Sequence, residues 1–329
     1  IAILRSIQER HDARGRPVPR NVHSKQHGCV WAELTIEQGV PEGLRHGLFR
    51  EARMFAGVVR FSNSKQRHDE LPDAHGMAIK LIGVEGAKLR EADRDAGTQD
   101  FVLVDHPVFF AKHAADMIPL AEDFRRLMCG GPIGKVRTLA KAALSRDYRF
   151  RLLRTMAAKR PGSPLGIQYW STTPFRLGAT AAKVSLRPTH DGGPAAAGRG
   201  HADKLRRAMS AHLAEKDAWF DFLVQPQTNA LTMPIEDPTV VWDQREAPWV
   251  KVATLRIPRQ RFETPEQLSF GERLSFTPWR GLAAHRPLGG INRARRRIYE
   301  AMAEGRHRLN GEAKGEPTWD EVRALWRDA

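Results

Sequence analysis

Arg20-Asn21-Val22-His23-Ser24-Lys25-Gln26-His27-Gly28 runs directly into Cys29-Val30-Trp31-Ala32-Glu33-Leu34-Thr35-Ile36-Glu37. The second half partly alternates apolar with polar residues and carries Val, Thr and Ile, so it reads as a strand. The first half places a guanidinium and an imidazole three residues apart at the start of that strand. A neutral imidazole takes up and returns protons near neutral pH, which makes His23 a candidate acid–base group. The chain has 13 histidines and most histidines have no such role, so the setting of this one has to carry the assignment.

Working outward, segments 52–63 and 76–84 have the same composition and are bounded by Gly-, Pro- and Asp-rich links, the signature of antiparallel strands. Phe101-Val102-Leu103-Val104 adds a short strand before Pro107. From 109 to about 160 the spacing turns helical, with a break at Cys129-Gly130-Gly131-Pro132 that separates two helices. Segments 167–177, 181–187, 218–225 and 250–257 read as further strands, 201–217 as a helix, 191–200 as a flexible connection and 269–286 as an irregular wrapping segment. Residues 1–19 read as a short helix and an extended lead-in. Strands, then helices, then strands again indicate α+β rather than alternating βαβ units. There is no internal repeat and no linker that splits the chain.

Near the C-terminus, Ile291-Asn292-Arg293-Ala294-Arg295-Arg296-Arg297-Ile298-Tyr299-Glu300-Ala301-Met302-Ala303-Glu304-Gly305-Arg306-His307-Arg308 favours a helix. Arg295, Tyr299 and Arg306 stand four and seven apart, which lines them up on one side of it. That side is polar where a core face should be apolar. A guanidinium one turn before a phenol favours the ionised form, and tyrosinate is a hard anionic ligand suited to ferric iron. A solvated basic helix with one half-buried tyrosine shows the same pattern, and Arg-x-x-x-Tyr alone is common.

The 329 residues are 41% hydrophobic and 28% charged, ordinary globular values that argue against disorder. The net charge of +15 raises nucleic acid or an anionic surface as a partner. The basic residues are spread along the chain and only 3 Tyr accompany them, so a solvated surface is expected and no nucleic-acid partner. Cys29 and Cys129 have neither metal-ligand spacing nor the density of a disulfide framework, which fits a reduced compartment. No run of eighteen apolar residues exists and the first thirty residues lack a signal-peptide core, so a cytoplasmic protein without a membrane span is expected.

Five ordered segments together resemble the haem catalase superfamily, most of all its short bacterial branch of catalase-related peroxidases. They are Arg20-x-Val22-His23, Val59-Arg60-Phe61-Ser62, Asp73-Ala74-His75-Gly76-Met77-Ala78-Ile79-Lys80, Asp105-His106-Pro107-Val108-Phe109-Phe110 and Arg295-x-x-x-Tyr299. The resemblance spans about residues 16–310. It implies a single haem domain over 1–329, built as an antiparallel β-barrel with flanking helices, with haem b between the barrel and the last helix.

Residue by residue, the resemblance implies Tyr299 as the iron ligand, a tyrosine ligation that is itself the catalase example of the general rule. Arg295 would keep it ionised, and His23 would be the distal acid–base group with Ser62 fixing its tautomer. Arg20, Arg60 and Arg306 would pair with the haem propionates, and Val22 and Phe109 would line the distal wall. Two positions depart from the pattern. The place of the catalase distal asparagine falls on Val104, with Asp105 next to it, and the place of the phenylalanine that stacks on the haem falls on Met117.

The implied activity is peroxidase with some catalase turnover, on hydrogen peroxide or an alkyl hydroperoxide, with a small organic electron donor and a homodimer as partner assembly. Allene oxide synthases resemble catalases too, but carry threonine before the distal histidine where this chain has Val22. A basic binding protein that keeps the fold without the chemistry is the remaining reading, and it predicts colourless protein.

Overall fold

The computed structural model describes residues 1–329 except 14, 16, 190–200, 314 and 328–329. The connection expected at 191–200 therefore lies outside the described residues. Strands β1 (Lys25–Ile36), β2 (Met54–Asn63), β3 (His75–Ile82) and β4 (Thr98–Val104) form a meander in which every pairing is antiparallel. From β4 the sheet continues through β5 (Tyr169–Trp170), β7 (Thr180–Pro188), β8 (Ala218–Pro226) and β9 (Val250–Ile257), which returns to β1. The result is a closed eight-stranded antiparallel barrel, with β6 (Phe175–Leu177) added on β7. Closure removes the exposed edges that an open sheet leaves.

Alternation along the strands decides what faces where. Val30, Ala32 and Leu34 of β1, Val59 and Phe61 of β2, Met77 and Ile79 of β3 and Phe101 and Leu103 of β4 point inward. They meet Tyr169, Phe220 and Phe222 in one core. Cys29 and Val58 point outward, where α6 (Pro265–Arg273) and α8 (Trp319–Leu325) cover them with Phe270, Leu274, Val322 and Trp326. Arg60, Ser62 and Gly76 share that outer face. Around the barrel run α1 (Ala2–Asp12), α2 (Met117–Cys129), α3 (Pro132–Leu144), α4 (Tyr148–Ala157), α5 (Lys204–Glu215) and α7 (Gly289–Asn310).

The α+β barrel with flanking helices is present, and three local expectations change. Residues 109–160 hold three helices rather than two, because Ser145–Asp147 interrupts the run and Asp147 accepts the Arg149 N–H as an N-cap. The single strand expected at 167–177 is two short ones, β5 and β6, separated by a turn in which Thr172 takes a left-handed φ of 60°. The wrapping segment expected at 269–286 begins inside a helix, α6, started by a capping box between Thr264 and Gln267.

Helix α8, for which no element was expected, is started by the same device between Thr318 and Glu321. Buried ion pairs tie the segment before it to the barrel, with Lys80 on Asp100 and Glu316 at 2.6 Å each and Arg280 on Asp100 and Glu316 at 2.9 Å each. Among the described residues no helix is long and apolar enough to cross a membrane.

Candidate functional site

The site lies on the outer face of the β1–β4 meander, opposite α7. Ser62 on β2 is paired with Gly76 on β3, and Gly76 in turn with Val104 on β4. His23 precedes β1 in a left-handed backbone conformation, φ 57°, held by its N–H on Ser64 O at 2.7 Å. This conformation is costly for a residue with a Cβ, so the surrounding bonds must impose it. It brings the imidazole against Gly76, where a Cβ would stand 2.4 Å from Nδ1 and 2.6 Å from Cε1. Only glycine leaves room for the ring.

Nδ1 of His23 is 3.2 Å from Ser62 Oγ. Burial and the nearby Arg60 guanidinium push the imidazole pKa down to about 4, so the ring is neutral at neutral pH. Among the described residues no protein group bonds its Nε2.

Arg60 links this histidine to a cluster of charge. Its Nη1 donates to His23 O at 3.0 Å, its Nε to Gln26 Oε1 at 3.0 Å, and its Nη2 to Glu272 Oε1 at 3.0 Å. Arg20 Nη1 donates to the other oxygen, Glu272 Oε2, at 2.9 Å. Arg306, buried on α7, donates to Glu272 O at 2.7 Å and Leu274 O at 3.1 Å. Arg20 also donates to Gly271 O and Leu274 O. Arg20 and Arg306 thus cap the carbonyls that end α6, while Arg20 and Arg60 hold the two oxygens of the Glu272 carboxylate. Burial opposes the charge on Glu272, but Arg60 and Arg20 hold its carboxyl below the usual range.

On α7, Arg295 is buried and Tyr299 half-buried. Nη2 of Arg295 donates to Tyr299 Oη at 3.4 Å, and the guanidinium carbon stands 5.4 Å from the phenol ring centroid. Arg295 is fixed from behind by Thr173 Oγ1 at 3.0 Å and Asn292 Oδ1 at 3.2 Å. Asn292 is fixed in turn through bonds to Pro174 O and Leu288 O. The helix ends at Gly311, left-handed at φ 64°, after His307 and Arg308 in its last turn.

Helix α1 spans the two sides. Gln8 Nε2 donates to Met302 O on α7 at 2.9 Å, and Asn21, two residues before His23, donates to Leu4 O at 3.0 Å.

The remaining expected positions are scattered around this frame. Val22 is 46% exposed. Phe109 is half-buried and stacked on Phe110 with centroids 4.3 Å apart. Met117 opens α2, just after the turn Ala114–Asp116 that packs on α7. Val104 is half-buried on the outer face beside Gly76. Asp105 is fully buried and accepts from His75 Nδ1 at 2.8 Å, while its Oδ1 has no partner among the described residues. Among the described residues no cluster of three His, Cys, Asp or Glu side chains is placed to hold a metal ion.

Sequence reasoning missed Glu272, Asn292, Thr173 and the role of Gly76. Glu272 carries a faint signal, because a carboxylate near the C-terminal end of a helix opposes the helix dipole and needs local cations to be tolerated.

No protein-family model matches the chain, and no curated protein does. Solved structures do. A fungal catalase superposes with a TM-score of 0.66 at 17% identity, over 91% of this chain and 61% of its own. A bacterial catalase gives 0.63 at 17% identity, over 94% of this chain and 62% of its own. The chain spans about three fifths of the length of these catalases. The likeness is one of fold, and the fold is catalase-like.

Proposed function

We propose that the chain is a haem-dependent peroxidase with catalase activity, acting on hydrogen peroxide or organic hydroperoxides. The observation that carries the reading is the meeting of Arg20 and Arg60 on one carboxylate, with Arg306 on the backbone carbonyl of the same residue, beside a neutral imidazole held by Ser62. Guanidinium groups pair with carboxylates in a fixed fork geometry, and haem b brings two propionates. A cradle that already binds the carboxylate of Glu272 fits such a group.

In this reading Arg20, Arg60 and Arg306 hold the propionates and Tyr299 supplies the iron ligand. Arg295, fixed by Thr173 and Asn292, keeps a positive charge against the phenol oxygen. Val22, Phe109 and Met117 offer the apolar contacts. The bound haem supplies the redox chemistry of O–O cleavage.

The chain's own residues then manage protons and position. His23, neutral at the working pH, takes a proton from one peroxide oxygen through Nε2 and returns it to the leaving oxygen. Ser62 holds Nδ1 and so fixes the ring and its tautomer. Arg60 bonds both His23 O and the cradle, which sets the distance between the proton carrier and the bound group. Val104 has no amide to orient peroxide, and the Asp105 carboxylate is engaged by His75. Orientation then falls on His23, which favours the peroxidase branch, with a small organic electron donor, over the catalase branch. The same reading takes residues 1–329 as one domain of a cytoplasmic homodimer.

The test is the visible absorption spectrum of protein produced with ample haem, before and after hydrogen peroxide, with oxygen release followed in parallel. A high-spin ferric spectrum that shifts on peroxide is the expected result. Protein without a Soret band despite haem supply overturns the reading.

A further inference from the structure

Helix α3 is turned inside out. Its contact with the rest of the protein runs through Gly134, Thr138 and Ala142, spaced four apart, of which only Thr138 is fully buried. At 3.6 residues per turn this places Ile133, Val136, Ala140 and Leu144 on the opposite side. They are accordingly exposed, Ile133 at 78%, Val136 at 65% and Leu144 at 82%, with Leu139 at the edge at 58%. Ile118 on the adjoining α2 is 62% exposed. Large apolar residues normally face water one at a time, whereas those of α3 share one surface.

The charge around this surface is as uneven. Residues 117–160 carry eleven Lys or Arg against three Asp or Glu, a net of +8 out of the chain's +15. Lys135 and Lys141 flank the apolar face of α3 on either side, and Arg137 stands at its rim. Lys135 and Arg137 form no ion pair among the described residues, and Lys141 remains half-exposed although it pairs with Asp123.

Three occupants meet such a face differently. A second copy of the chain would bring the same positive field against itself, which disfavours association. Nucleic acid would match the charge but leave Ile133, Val136 and Leu144 unused, and the aromatic residues that stack on bases are absent from this face, since Phe124 and Phe150 are buried. An anionic lipid surface satisfies both properties, because apolar side chains enter the acyl boundary while flanking lysines and arginines sit among the headgroups. We propose that α3 docks the protein on anionic membrane surfaces. The proposal does not depend on the haem reading.

The experiment is co-sedimentation of the full chain with vesicles of phosphatidylcholine alone and of phosphatidylcholine mixed with phosphatidylglycerol, at two ionic strengths. The wild type is expected to pellet with the anionic vesicles and stay in solution with the neutral ones. The double variants Lys135→Glu/Arg137→Glu and Ile133→Ser/Val136→Ser should each weaken binding by about tenfold or more. Their substituted side chains are exposed, and circular dichroism checks that the fold is kept. Absence of pelleting with the anionic vesicles overturns the proposal. So does a dimer in sedimentation velocity that Ile133→Ser/Val136→Ser dissolves, or duplex DNA binding that this variant leaves intact while vesicle binding is lacking.

Discussion

Nδ1 of His23 and Oγ of Ser62 lie 3.2 Å apart, and the same ring lies so close to Gly76 that a Cβ there would stand 2.4 Å from Nδ1. In the peroxidase reading, Ser62→Ala leaves the ring against Gly76 but removes the bond that selects its tautomer. The expected result is peroxide turnover lowered by about tenfold with haem content unchanged. His23→Ala removes the proton carrier itself and should lower turnover by about a hundredfold or more, again with haem retained. Stopped-flow peroxide consumption normalised to Soret absorbance reads both. Wild-type turnover in His23→Ala would end the proton-transfer assignment.

Glu272 occupies the arginine cradle with its own carboxylate and is 42% exposed at the side chain, so it has room to swing aside. A propionate taking the same two guanidinium groups must displace it. Glu272→Gln weakens the competitor and is expected to tighten haem binding by about tenfold, a figure kept small because the group is partly solvated. The apoprotein should lose stability in the same variant, since Arg20 and Arg60 are left facing each other. A Soret titration together with apoprotein melts separates the two effects. Weaker haem binding would mean that Glu272 serves to aim the arginines.

Tyr299 makes its hydroxyl bond to Arg295 at 3.4 Å, long enough that the bond adds little to folding. Tyr299→Phe should therefore melt close to the wild type, within about 1 kcal/mol, while losing the phenol oxygen that the haem reading gives to the iron. Haem added to this variant should bind more weakly and give an altered ferric spectrum. An unchanged spectrum would remove Tyr299 from the iron. Asn292→Ala releases the far side of Arg295 and is expected to shift the same spectrum in part.

The β1–β4 meander could be read from sequence because its strands carry inward Val, Ile, Leu and Phe between Gly-, Pro- and Asp-rich links. Partial period-two alternation showed the strands, and Arg60 and Ser62 keep it, polar on the outer face between the inward Val59 and Phe61. Barrel closure could not be read that way, because it depends on two-residue β5 pairing with both β4 and β7, and no pattern survives in so short a strand. Arg20, Arg60 and Arg306 were recognisable as a set only through family likeness, since 212 and 252 residues separate two of them from their common partner Glu272. Helices α6 and α8 went unread although Thr264-Pro265-Glu266-Gln267 and Thr318-Trp319-Asp320-Glu321 carry their capping boxes, signals weaker to the eye than an apolar run but physically explicit.

Histidine burial gives the protein an acid limit. The pKa of His23 is pushed down to about 4 and that of His27 to about 3, chiefly by burial, and that of His285 to about 4 for the same reason. His27 sits with Nε2 2.8 Å from Asn63 Oδ1, and His285 accepts the Leu48 N–H at 2.8 Å through Nε2, a bond that a proton on that nitrogen would break. Each histidine unfolds to an ordinary value of about 6.5, so below that pH the unfolded chain binds protons that the folded chain refuses. Stability is then complete above pH about 6.5 and is lost as pH falls toward the folded values, by about 1.4 kcal/mol per pH unit for each histidine in the window. Urea unfolding of the apoprotein between pH 7 and pH 4 should show this slope, and His285→Gln, outside the site, should reduce it by about 1.4 kcal/mol per pH unit. A flat stability across the window would mean that these rings take up protons without unfolding.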